Sequence, residues 1–197
     1  MEWTIPAQSF ISENIHISAP NIHQKPIAAL GYVDPSEHIT FPWFSILLPS
    51  LPVKSYNSDT GKLVLSLVGV PSILTNFIAL QSRILQTIHS NYVAWFPSER
   101  QRSLEEISGS FQPLIQNNCI HLYCPLHTVG SFNEISIYSD SSWSKGIIPP
   151  TLLVPGKMIR AAIRLQSISF HQHPVTKALT GRFRIQHRIL ALFNTKI

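Results

Sequence analysis

Two stretches near the C-terminus alternate apolar and polar residues over a long run, and they constrain the fold more than any other feature of the chain. In residues 157–170, Ile159, Ala161, Ile163 and Leu165 take one set of alternate positions, and Arg160, Arg164 and Gln166 take the other. Residues 181–192 repeat the design, with Phe183, Ile185, Ile189 and Ala191 against Arg182, Arg184, Gln186 and Arg188. A period of two marks a strand with one face in the core. As neighbours, two such strands are expected to form a long hairpin that presents its guanidinium groups from a single face.

Charge sharpens this picture. From Lys145 to the end the chain carries nine Lys or Arg and no Asp or Glu, whereas the first 144 residues carry six basic against ten acidic side chains. The net charge of +5 thus combines about −4 and +9, and a sequence pI near 9.4 goes with it. A solvated outer face accounts for alternation but does not call for one sign of charge, so a polyanionic partner is expected. Arg suits phosphate because its planar fork binds bidentately and its plane stacks on a base. Lys145, Lys157 and Lys177 belong to the same basic region, with His171 beside them.

The remainder reads as one folded domain behind an arm. Residues 1–38 contain Pro6, Pro20, Pro26 and Pro35 among isolated apolar residues, which predicts an extended, partly mobile N-terminal arm. Residues 39–197 form the expected domain. Pro42, Pro49 and Pro52 limit residues 41–53 to an interrupted edge strand. Residues 63–68 read as a short buried strand. Ser72 is placed to cap a long helix whose apolar positions are Ile73, Phe77, Leu80, Ile84 and Ile88. A second, short helix begins at Ser103, where Glu106 stands at the capping-box position, and ends near Gly109. Strands are expected at residues 120–123 and 135–138, then a Ser-, Gly- and Pro-rich link to residue 156. The predicted class is mainly β: an OB-like barrel with one long central helix, a second short helix and a long C-terminal β-hairpin.

Barrels of this kind bind single strands on one face, with aromatic groups for bases and cations for phosphates. Trp143, in what reads as a surface loop beside Lys145, and Phe170, where the two basic strands join, are the expected stacking groups. Cys119, His121, Cys124 and His127 form a compact Cys/His cluster with the donor types of a structural zinc site, although the spacing departs from the usual paired pattern. Ordinary packing explains these four residues, so neither metal nor cofactor is expected. An enzyme is not expected either: there is no Gly-rich phosphate loop, nucleophile elbow or His-Glu metal helix, and Glu105 and Glu106 fit the first turn of a helix. No apolar run approaches the about 20 residues that span a bilayer, residues 1–10 lack signal-peptide character, and two cysteines suit a reducing interior. A soluble intracellular protein that does not engage a membrane is expected.

The order of features also resembles a family. Residues 63–68 (LVLSLV), the helix after them, Asn91, Trp95-Phe96, residues 103–107 (SLEEI), Phe111-Gln112-Pro113, residues 123–125, Pro155-Gly156 and Arg184-Ile185-Gln186-His187 are similar in order to the OB-fold single-stranded DNA-binding proteins of large eukaryotic DNA viruses and related virus-like mobile elements. The resemblance covers about residues 60–192, and Pro97 and Ser98 stand where that family commonly has Gly and Lys. It implies a non-catalytic protein that coats single-stranded DNA in replication or recombination, in the nucleus or at a viral replication site. RNA, self-association and replication proteins are further partners within this reading. The alternative is a viral coat or assembly protein with a basic sheet facing nucleic acid and an N-terminal arm tying subunits together.

Overall fold

A computed structural model describes residues 3–22, 25–34, 36, 39–125, 135–139, 142–145 and 148–194. The first half of the chain forms β1 (Trp3–Pro6), β2 (Ile15–Ile17), β3 (Ile27–Val33), β4 (Thr40–Phe41), β5 (Phe44–Leu47), β6 (Leu51–Asn57), β7 (Lys62–Ser66) and α1 (Pro71–Trp95). The second half forms α2 (Leu104–Ser110), β8 (Phe111–Gln112), β9 (Ile115–Gln116), β10 (Cys119–Tyr123), β11 (Ser136–Ser139), β12 (Ser142–Lys145), β13 (Met158–Gln172) and β14 (Leu179–Asn194). The protein is mainly β, with two helices and a long C-terminal hairpin.

β13 organises the sheet. One edge pairs along its length with β14, and the other serves β6 at Met158 and Ile159, β5 at residues 162–165, and β3 at residues 167–169. β14 in turn takes β11 and β8 as parallel neighbours on its far edge. The main path runs β12-β11-β14-β13-β6-β7-β10-β9, an open mixed sheet. It curls until β10 faces β14 again, and there no ladder forms. A bond spans the gap, from the Tyr123 backbone N–H to Nε2 of His187 at 2.9 Å.

Three sequence expectations are corrected here. First, the N-terminal arm is part of the fold: β1 pairs with β5, β3 pairs with β13, and Ile5, Phe10, Ile15, Leu30 and Tyr32 are buried in the core. Prolines suggested irregular chain, but Pro6 ends a strand and Pro20 and Pro26 fall between β2 and β3, where no ladder donor is lost. Asn76 and Arg83 of α1 donate to the Ala7 and Ile15 carbonyls, fastening this segment to the helix. Second, residues 44–47 are an internal strand, flanked by β1 and β13. Third, the link expected before residue 156 contains the β11–β12 hairpin.

Helix α1 buries Ile73, Phe77, Leu80, Ile84, Ile88 and Tyr92 against the sheet. Its start lies two residues before the expected cap: Val70 precedes Pro71 in the first turn, where proline's fixed φ and missing donor do no harm, and no side chain caps it. In α2 the expected capping box is present, Ser103 N–H donating to Glu106 Oε2 at 2.8 Å and Glu106 N–H to Ser103 Oγ at 3.2 Å. Arg102, just before this cap, lies 5.4 Å from the Tyr92 ring centre and packs on Gly181, which takes φ +83°. The positive φ would strain any other residue at Gly181, and a Cβ there would displace the end of the Arg102 side chain. No helix among the described residues is long and apolar enough to cross a membrane.

Candidate nucleic-acid interface

The register of the hairpin sorts its side chains. On the core side Ile163 pairs with Ile189, Leu165 with His187, Ile168 with Ile185, and Phe170 with Phe183. On the outer side Arg160 pairs with Phe193, Ala162 with Ala191, Arg164 with Arg188, Ser167 with Gln186, and Ser169 with Arg184. Both strands therefore turn their arginines outward, as the alternation requires. Of three register shifts in the ladder, the last lies beside the connecting turn, between Phe170 and Gln172, and the other two modify the pattern. The shift between Leu165 and Ser167 leaves Gln166 as an extra residue on β13, and the one between Ala162 and Ile163 adds Leu190 to β14, which turns Ala191 to the outer side and Leu192 to the core.

Exposure divides the outer face. Arg160, Gln166, Arg182 and Arg184 are exposed, whereas Arg164, Gln186 and Arg188 are half-buried. Arg164 and Arg188 are directly opposed, an unfavourable placement for like charges taken alone, and both are engaged within the fold. At one end of the face Tyr138 of β11 stacks on Phe193, with ring centres 4.9 Å apart and planes at 12°, beside Arg160. At the other end His171 is exposed and its Nδ1 lies 2.9 Å from Thr180 Oγ1, while Lys177 is exposed in the connecting turn. Lys157 is half-buried in the turn before β13. No Asp or Glu occurs in β13 or β14.

Of the two expected stacking groups, Phe170 is not on this face. Phe170 is 7% exposed and packs into an aromatic cluster with Phe96, Phe183 and Trp95, at ring-centre distances of 5.0, 5.7 and 6.4 Å. The bulge at Gln166 brings Phe170 to the core side, so its role is corrected from platform to packing. Trp143 stands opposite Tyr138 in the β11–β12 hairpin, not in a loop. The side chains of Trp143 and Lys145 lie outside the described part of the structure, as does His127.

The Cys/His cluster is dispersed. Cys119 and His121 share the outer face of β10, where Lys54 Nζ donates to Cys119 Sγ at 3.6 Å. Cys124 turns into the core, and burial pushes its thiol up to about 12. Among the described residues no group of three His, Cys, Asp or Glu could hold a metal ion.

Sequence reading missed a second basic surface. Where β10 and β14 fail to pair, a cleft of about 550 Å³ opens, lined among others by Lys62, His121, Tyr123, Arg184, Gln186 and His187. A second hollow of about 510 Å³ continues across β6 and β7 past Lys54, sharing Lys62 and His121 with the first. No acidic side chain lines either one among the described residues. Tyr123 is 58% exposed, with its ring edge against Gly61. Burial, then Lys62 and Lys54, hold the His121 imidazole below its usual range, so the ring is neutral at pH 7. Burial does the same to His187, down to about 4. Only the inward-outward alternation of residues 119–123 could have indicated that His121 and Tyr123 share an outer face. Their meeting with Arg184 depends on topology.

Comparison with family models, with curated proteins and with solved structures finds no match for this chain.

Proposed function

We propose that this protein binds single-stranded DNA without sequence preference and acts as a non-catalytic accessory in replication or recombination, on an OB-like half-open barrel. One observation carries the reading: Arg160, Arg182 and Arg184 stand exposed on one face of β13 and β14, on strands with no acid to neutralise them. Rigid strands hold the guanidinium groups in a fixed row, which suits a repeating phosphate backbone and makes no demand on base identity. The stacked pair of Tyr138 and Phe193 at the end of the row offers an aromatic edge beside Arg160. The order of sequence features that resembles viral single-strand binders supports the same reading independently.

The coat-protein alternative drew on an N-terminal arm tying subunits together; here β1, β2 and β3 of that segment pair within the chain's own sheet.

An Arg182→Ala/Arg184→Ala variant tests the face. Both side chains are exposed, so folding and thermal stability should be preserved. Affinity for an oligothymidylate should fall at least tenfold, and the slope of log affinity against log salt should shrink by about 0.7 for each phosphate no longer neutralised. Unchanged affinity and slope in a folded variant would remove this face from the interface.

A further inference from the structure

Resting on the proposed single-strand binding, we infer that the cleft between β10 and β14 is a nucleotide seat, in which a base of the bound strand stacks on Tyr123 while Arg184 and Lys62 hold the phosphates to either side. Four features of the cleft support this. Its volume of about 550 Å³ lies in the range of pockets that enclose small organic ligands. It is continuous with the arginine face, because Arg184 and Gln186 belong to both. It contains a large aromatic side chain with no apolar neighbour covering it, since Tyr123 is 58% exposed at the end of a strand whose inward residues, Ile120 and Leu122, are buried. Its cations have no acidic counterpart in the lining among the described residues, and the neutral His121 and the Gln112 and Gln186 amides supply donors and acceptors for a base edge.

The architecture explains why the seat is open. A ladder between β10 and β14 would close the barrel and fill the cleft with backbone. Instead the bond from Tyr123 N–H to His187 Nε2 fixes the spacing of the two strands and sets the Tyr123 backbone, leaving its ring outside. Gly61, at φ +66°, packs against the edge of that ring, where a Cβ would stand 3.0 Å from Tyr123 Cε2. From the seat, Lys62 and then Lys54 lead across β7 and β6, so the strand is expected to leave along the second hollow.

The test uses the full chain and an oligothymidylate bearing 5-iodouracil. On irradiation, the bound oligonucleotide should cross-link to Tyr123, as mapped by mass spectrometry of the unsubstituted protein. Tyr123→Ala should lower affinity by about 5- to 150-fold with the salt slope unchanged, since stacking releases no counterion. Tyr123→Phe should recover most of that affinity, and Lys62→Ala should reduce the slope by about 0.7. If the wild-type protein binds the oligonucleotide but cross-links elsewhere, and folded Tyr123→Ala binds as tightly, the seat is refuted and the arginine face stands. If the wild-type protein does not bind at all, both are refuted.

Discussion

His187 is placed at the point where the sheet nearly closes. Its Nε2 accepts the Tyr123 N–H, so the neutral ring carries its proton on Nδ1, which is buried without a hydrogen-bond partner among the described residues. A second proton would set two donors against each other across the gap. Burial, and to a lesser degree the Arg184 charge, hold its folded pKa near 4, while the unfolded chain titrates near the ordinary value of 6.5. Between those limits the unfolded state binds the proton and the folded state does not, so stability is full above about 6.5 and is lost as pH falls toward 4, with no further loss from this group below that. His121 acts in the same direction. Urea unfolding at pH 7 and at pH 4.5 should differ by up to about 3 kcal/mol from His187, and His187→Gln, which keeps an acceptor, should flatten the dependence. An equally steep profile in that variant would assign the effect to other groups.

The hairpin of β13 and β14 shows at the level of elements what alternation can and cannot convey. Up to Leu165 the inward and outward positions follow the sequence period, because each strand is half-buried and a one-residue slip would expose its whole apolar set. Beyond that, bulges at Gln166 and Leu190 reverse the phase, and a bulge leaves no mark in a polar-apolar pattern when the extra residue is Gln or Leu. Phe170 and Ala191 are assigned to the wrong side for that reason alone. The capping box of α2 is legible because both of its bonds lie within four residues, whereas the cleft is not, since Lys62, Tyr123 and Arg184 come from three strands far apart in sequence. As part of the core, Phe170 joins the hairpin to the end of α1 through Phe96 and Trp95. Phe170→Ala should therefore cost about 3–5 kcal/mol, read as a lower urea midpoint at unchanged m-value. A cost below about 1 kcal/mol would return Phe170 to the surface.

For the whole molecule, an open sheet with its helix-packed core on one side leaves an outer surface running from the pair of Tyr138 and Phe193, along the arginines of the hairpin, and into the cleft at Tyr123. Positive charge is fixed along this course by strands rather than by mobile loops, and no acidic residue of β13 or β14 or of the two hollows interrupts it. On the proposed reading, stacking in the cleft would add affinity that salt does not remove, and only a strand with unpaired bases would supply it. The most direct test is a fluorescence-anisotropy titration with labelled single-stranded DNA, duplex DNA and single-stranded RNA of equal length at several salt concentrations. A preference for single strands over duplex that persists as salt rises is the predicted result. Equally weak binding to all three that vanishes with salt would contradict the account, leaving the basic face as an electrostatic surface without a strand-binding site.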